Sequence, residues 1–190
     1  MQYYLDGFRP GDPDVKAPAL NRVAPNSFPE KVDVLIAGCG PAGLCLAAQL
    51  AGFPEISTMI VEPKAGPMEK GQADGVSVRS MEMFQAFGFA DKIKREAYWV
   101  NQTAFWRPDA NNPDHIQRIG ITQDVPDDQS EMPHTILNQA RIHQLFLDVM
   151  QNASTRLEPH YGMRVRDLTV DTATDDHPVT VILEHVAEDG

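Results

Sequence analysis

Gly38, Gly40 and Gly43 stand in the spacing Gly-x-Gly-x-x-Gly, with Glu62 following about 20 residues later. Three glycines alone are a weak signal. Here a short apolar run precedes them and an Ala/Leu-rich stretch follows, which gives each residue a mechanical task. Gly38 permits a tight turn, Gly40 lets the backbone approach a pyrophosphate, and Gly43 lets a helix pack closely on a strand. Amide groups at the start of that helix add hydrogen-bond donors and a partial positive charge for phosphates. Glu62 can accept two hydrogen bonds from an adenosine ribose, and its charge disfavours a 2′-phosphate. The pattern therefore points to FAD or NAD rather than NADP in this loop. The competing reading is a tight strand–helix turn with an incidental glutamate.

These residues need elements to hold them. Val32–Ala37 is a short, mostly apolar, β-branched run that suits a buried parallel strand. Leu44–Ala51 reads as a helix stopped near Gly52, and Ile56–Val61 as a second strand ended by Glu62-Pro63. The whole is about 30 residues, the minimum strand–helix–strand crossover, and predicts parallel pairing of the two strands with a right-handed connection. A glycine-bearing loop, 64–75, leads into a helix on which Met81, Phe84 and Phe87 recur, with Gly88 placed as its C-terminal cap. Tyr98–Trp106 is strand-like. Residues 107–131, rich in Pro, Asp, Asn and Gln, read as a surface excursion with one weak strand near Ile116–Ile119. Thr135–Leu137 is a short strand. Ala140–Met150 is the clearest helix, with Ile142, Leu145, Phe146, Val149 and Met150 on one face. Strand-like pieces follow at 155–158, 163–170 and 179–183. Residues 1–30 hold five prolines and form an extended arm, which Tyr3, Tyr4, Leu5 and Phe8 would fasten to a neighbouring surface.

Composition excludes several functions. The apolar fraction of 42% is that of a folded chain, and 16 basic against 27 acidic residues give a net charge of −11. Such a surface repels phosphate backbones and anionic lipid, so neither nucleic acid nor membrane is an expected partner. No apolar run approaches the ~20 residues of a membrane span, and no secretory signal begins the chain. Two cysteines, Cys39 and Cys45, read as reduced small hydrophobes; with eight methionines they suit the cytoplasm. His115, His143, His160, His177 and His185 have no metal-ligand spacing with one another or with the cysteines, so no metal is expected.

Three separated segments carry a wider resemblance. Gly38-Cys39-Gly40-Pro41-Ala42-Gly43 followed by Glu62-Pro63 resembles the first FAD motif of the para-hydroxybenzoate hydroxylase-like flavin monooxygenases. Gly71–Met83 is similar to the segment after the second strand in their phenol hydroxylase branch, and His134–Arg141 to a later flavin-contacting segment. Met1–Pro10 and Phe105–Asp109 look closest to the 3-hydroxybenzoate 4-monooxygenases of that branch. The resemblance runs over nearly the whole chain. It implies an α/β fold: a Rossmann-like, glutathione-reductase-type FAD-binding domain with extra β-strands. Residues 31–190 would be its N-terminal part, and the second FAD motif, the substrate domain and a thioredoxin-like domain would lie past this sequence.

The same resemblance implies roles. Asp74 would favour the phenolate of the substrate by accepting from its O–H, a catalytic and substrate-binding task; an Asp-Gly turn residue is the alternative. Gly38, Gly40, Pro41, Ala42, Gly43, Glu62, Pro63, Gln72 and Gly75 would line the cofactor. Arg79 and Gln139 would donate to its phosphate or ribityl oxygens, against an exposed helix arginine and a helix-capping glutamine. His134 would hold an anionic group of the substrate, against a histidine satisfied within the fold. The implied activity is hydroxylation of a small phenolic compound with FAD, NADPH and O₂. The first choice is 3-hydroxybenzoate to 3,4-dihydroxybenzoate, phenol 2-monooxygenation is the second, and the intact enzyme would be a homodimer. This stretch alone would be inactive. Two readings of other classes stay open: an NAD-binding Rossmann oxidoreductase, which needs further parallel βα units after Glu62, and a non-catalytic remnant. Flavin absorbance separates both from the first.

Overall fold

A parallel β-sheet carries the glycine loop at one end of its strands. The computed structural model describes residues 7, 10–22, 24 and 27–186. Tyr3, Tyr4, Leu5, Phe8 and Pro25 of the expected arm lie outside them. The chain divides into two compact units, residues 1–69 with 142–190, and residues 70–141.

In the first unit, β1 (Val34–Ala37) pairs in parallel with β2 (Thr58–Glu62), and helix α1 (Pro41–Leu50) lies between them in the chain. β-Branched and apolar residues favour these strands, and four of the five β2 residues are buried. Gly38 has φ +103°, a conformation that L side chains rarely adopt, and its N–H donates to the Val61 carbonyl at 2.7 Å. A Cβ at Gly43 would sit 2.0 Å from the Gly38 carbonyl oxygen, so only glycine lets α1 start this close to the strand end. Leu44, Ala47 and Ala48 face inward from α1.

Helix α4 (Gln139–Asn152) buries Ile142, His143, Leu145, Phe146 and Met150; its first three residues belong to the second unit and the rest to the first. Two-residue strand β8 (His160–Tyr161) then pairs in parallel with the end of β2. The antiparallel hairpin β9 (Met163–Val170) and β10 (Val179–His185) closes this unit, and Met163 packs with Met59 and Val61. The expected strand at 155–158 does not form. The helix instead ends in a turn with Arg156 at φ 54°, and Pro159 precedes β8. The described part of the arm is mostly exposed and is strapped to this unit, where Lys16 and Ala19 donate backbone N–H groups to Asn152 and Ser154.

The second unit begins with β3 (Gly75–Val76), which pairs with β7 (Thr135–Ile136); β4 (Tyr98–Trp99) joins the other edge of β7. Against these lie α2 (Val78–Ala86) and α3 (Ala90–Glu96), whose buried residues include Met81, Phe84 and Ile93. Gly88 follows α2 at φ +85° and caps it as expected, while the sequence reading had no helix at α3. The excursion after residue 107 is more ordered than its composition suggested. β5 (Gln102–Pro108) and β6 (Ile116–Gln123) pair antiparallel with one irregularity between Phe105 and Trp106, and Ile116, Ile119, Ile121 and Thr122 give β6 its strand preference. Among the described residues no helix is long and apolar enough to cross a membrane.

The close approach at Gly43 yields a direct expectation. Gly43→Ala should lower the urea-unfolding stability by about 1–3 kcal/mol, the range for overpacking a tight contact. An unchanged unfolding midpoint would mean that the strand–helix junction relaxes freely.

Candidate functional site

The first unit gathers Gly38, Gly40, Pro41, Ala42, Gly43, Glu62 and Pro63 at the carboxyl ends of β1 and β2. In open sheets of this kind the crevice outside those ends is where ligands bind. Glu62 closes β2, and its carboxylate reaches the glycine loop: Oε2 accepts the Cys39 N–H at 2.7 Å and Oε1 the Lys64 N–H at 3.1 Å. No side chain caps the first turn of α1, no acidic residue stands in it, and Pro41 starts it, where a missing N–H costs nothing. A Cβ at Gly40 would meet nothing within 4 Å. The loop thus offers backbone donors with open space before them and a carboxylate at its edge. That donor set fits the pyrophosphate and ribose of an adenine dinucleotide.

Behind the loop the environment is closed. Burial, then the Glu62 charge, pushes the Cys39 thiol up to about 12. Tyr161 is likewise pushed up to about 12, first by burial and then by Cys39 and Glu62, and its hydroxyl has no hydrogen-bond partner. His143 is buried with no hydrogen bond to either ring nitrogen. Burial holds its imidazole below the ordinary histidine value, against opposing pulls from Glu62 and the nearby Cys39 backbone. In the sequence His143 stands out only as a histidine without metal-ligand spacing. Its place in the α4 stripe, three residues before Phe146 and seven before Met150, was the available signal. Among the described residues no group of three or more His, Cys, Asp or Glu could hold a metal ion. No disulfide joins Cys39 and Cys45.

The second unit brings together Gln72, Asp74, Gly75, His134 and Gln139. Asp74 Oδ1 accepts the Gln139 N–H at 3.2 Å, the Asp74 carbonyl accepts the Leu137 N–H, and Gln139 Oε1 accepts the Gln72 N–H at 2.8 Å. A Cβ at Gly71 would fall 2.5 Å from Gln139 Cβ, so this loop is pressed against the start of α4. His134 stands one residue before β7, with its Nδ1 2.7 Å from Asp124 Oδ2. Asp124, unnamed in the sequence reading, also accepts from Thr103 Oγ1 at 3.2 Å. Arg79, at the start of α2, has a side chain 91% exposed and lies 3.9 Å from Glu82. Among the described residues its ion pair is with Glu82 on the same helix, the geometry of a surface helix arginine.

The family described as "FAD binding domain" matches residues 31–185. Among similar proteins, a 3-hydroxybenzoate 4-monooxygenase from Comamonas testosteroni is 57% identical over 187 residues, covering 97% of this chain and 29% of the relative. An FAD-dependent monooxygenase from Aspergillus terreus is 38% identical over 160 residues, covering 81% of this chain and 26% of the relative. The chain thus spans less than a third of the length of these relatives. A solved flavin-dependent monooxygenase, PieE with FAD and substrate, superposes at a TM-score of 0.64 with 23% identity, over 84% of this chain and 27% of that one. The p-nitrophenol 4-monooxygenase of Pseudomonas putida gives 0.63 and 18%, over 81% and 36%. At these identities the structural likeness speaks for the fold.

The closed environment behind the loop has a pH consequence. His143 and His160 are both held below the ordinary histidine value by burial, so the unfolded chain binds their protons more tightly. The stability from keeping these rings neutral is complete above roughly pH 6.5 and is lost as pH falls below it. The urea midpoint should therefore drop on going from pH 7.5 to 5.5, roughly the span across the histidine range. His143→Phe should flatten the slope, whereas an equal slope in that variant would show that His143 titrates normally.

Proposed function

Because the chain belongs to the FAD-binding-domain family, we propose that its glycine loop holds the ADP half of FAD for the hydroxylation of a phenolic aromatic acid. The observation that carries this reading is the Glu62 carboxylate at the loop mouth, with backbone donors open beside it. In the first unit, the Gly40, Ala42 and Gly43 amides would meet the pyrophosphate and Glu62 the ribose hydroxyls, as in a Rossmann-like, glutathione-reductase-type arrangement, with Gly38, Pro41 and Pro63 shaping the loop. Bound FAD supplies the redox chemistry, taking reducing equivalents from NADPH and activating O₂. The protein supplies position and charge. Residues 31–190 are read as the N-terminal part of the FAD-binding domain.

Gln72, Gly75, Arg79 and Gln139 are assigned to the cofactor's ribityl and phosphate oxygens. Gln139 spends its carbonyl on the Gln72 N–H, which leaves the amide NH₂ to donate. Asp74 spends one oxygen on the Gln139 N–H, which leaves the other to accept from a phenol O–H and draw the ring toward phenolate. His134 is assigned to the substrate. The substrate we favour is 3-hydroxybenzoate, the compound in the name of the Comamonas testosteroni relative. The intact protein is read as a cytoplasmic homodimer, the compartment suiting two cysteines without a disulfide.

Asp74→Asn tests the assignment in the intact, FAD-loaded protein. FAD and substrate should still bind, while hydroxylation slows by roughly 10² to 10⁴, the range for a lost general base. NADPH and O₂ should still be consumed, with H₂O₂ appearing in place of hydroxylated product, and high pH should restore part of the rate. Normal coupling and turnover in the variant would reduce Asp74 to a turn residue; loss of FAD would make it a builder of the cofactor loop.

A further inference from the structure

The glycine loop is anchored at successive backbone groups, and the peptide between them is backed by a buried histidine. Gly38 donates its N–H to the Val61 carbonyl at 2.7 Å, Cys39 donates its N–H to Glu62 Oε2 at 2.7 Å, and the Gly40 carbonyl accepts the Leu44 N–H at 2.9 Å. The Cys39–Gly40 peptide lies between these anchors. Behind it stands His143 of α4, 5% exposed, with neither ring nitrogen in a hydrogen bond. An unpaired buried imidazole costs stability that an apolar side chain at the same stripe position would not. Packing of α4 alone therefore does not account for a histidine there.

The surroundings of the ring name its partner. Burial opposes its charged form first; the Glu62 carboxylate and the Cys39 backbone favour that form, and Lys64 opposes it again. A neighbouring backbone N–H would favour the neutral ring, whereas a carbonyl favours the protonated one. The Cys39 N–H is moreover already spent on Glu62. The group that faces His143 is thus the Cys39 carbonyl. The peptide that carries it is planar and trans, so its carbonyl and the Gly40 N–H point in opposite directions. A carbonyl turned inward to His143 turns the Gly40 N–H outward, and the loop is open there: a Cβ at Gly40 would meet nothing within 4 Å.

We infer that His143 is a positioning residue of the phosphate-binding loop: its ring N–H holds the Cys39 carbonyl inward and so presents the Gly40 N–H to the pyrophosphate of the cofactor. The inference rests on the reading that the loop takes the ADP half of FAD, and it extends that reading to the helix packed behind the loop. An oxygen that accepts from the Gly40 N–H polarises the peptide and strengthens its carbonyl as an acceptor. The ring N–H then closes onto that carbonyl as the cofactor binds. A hydrogen-bonded chain runs from the pyrophosphate through one peptide to a neutral, buried ring, and His143 gains its partner in the loaded protein. The Tyr161 hydroxyl, also unpaired in this interior, takes no part in the chain.

The test uses the intact protein freed of FAD and titrates it with FAD, with ADP and with adenosine. ADP carries the pyrophosphate, whereas adenosine has only the ribose that Glu62 would take. His143→Phe should weaken FAD and ADP binding roughly three- to tenfold, the equivalent of one ordinary hydrogen bond, and leave adenosine binding unchanged. His143→Gln, whose amide N–H can donate to the same carbonyl, should recover most of the affinity. Tyr161→Phe removes a hydroxyl from the same interior without touching the chain, and should bind each ligand as wild type does. His143→Leu repeats the comparison should the Phe variant not fold. Unchanged FAD and ADP binding without the imidazole overturns the role of His143 while the loop reading stands. An equal loss for adenosine, a Gln variant as weak as the Phe variant, or a matching loss in Tyr161→Phe does the same. Failure of wild type to bind FAD and ADP overturns the loop reading and the positioning role with it.

Discussion

The Cys39 N–H on Glu62 is the contact around which the glycine loop is organised. A backbone donor to a carboxylate contributes about 1.5–3 kcal/mol, more than an ordinary amide bond, and here it ties the end of β2 to the turn that leaves β1. With Gly38 donating to the Val61 carbonyl, the turn is fixed from both strands and Glu62 cannot swing away from the helix start. The first turn of α1 has no acidic residue of its own, so Glu62 is the carboxylate that meets the loop. One carboxylate therefore fixes the conformation of the glycine loop.

That loop depends on a well-packed but imperfectly satisfied interior. Ile60 and Val61 of β2 and Leu44 of α1 are essentially inaccessible to solvent, which makes the strand–helix junction stiff. Directly behind it lie Cys39, His143 and Tyr161, polar groups held neutral by burial, two of them without hydrogen bonds. Unsatisfied buried groups cost stability and recur where function constrains the sequence. In the second unit the polar groups are instead paired: Gln72 with Gln139, Asp74 with Gln139, Asp124 with His134. Rigidity there comes from a net of short hydrogen bonds across a loop.

The sequence made the first of these regions readable and left much of the second obscure, for physical reasons. Gly38, Gly40, Gly43 and Glu62 are a local pattern, and a local pattern translates into one turn, one helix start and one strand end. Helix α4 was equally plain because its apolar stripe repeats over four turns. Short elements were not. β3 and β8 have two residues each, set by partners distant in the chain, and Gly75-Val76 has no periodicity to announce pairing with the expected strand at Thr135-Ile136. β6 was understated because the Pro- and Asp-rich text around it masks a strand that only its pairing with β5 reveals. Asp124 could not be singled out from sequence, since its meaning depends on His134, ten residues away across a loop. Arg79 is a motif position whose side chain is exposed at the start of α2.

The claim that Glu62 both shapes the loop and binds the cofactor is tested most directly by the FAD dissociation constant of the intact protein, wild type against Glu62→Ala, at fixed ionic strength. Loss of a charged acceptor should weaken binding by about 1–3 kcal/mol, which is roughly a 5- to 150-fold rise in the dissociation constant. An unchanged constant would contradict the account, because the carboxylate would then serve only the turn and the ribose would lie elsewhere.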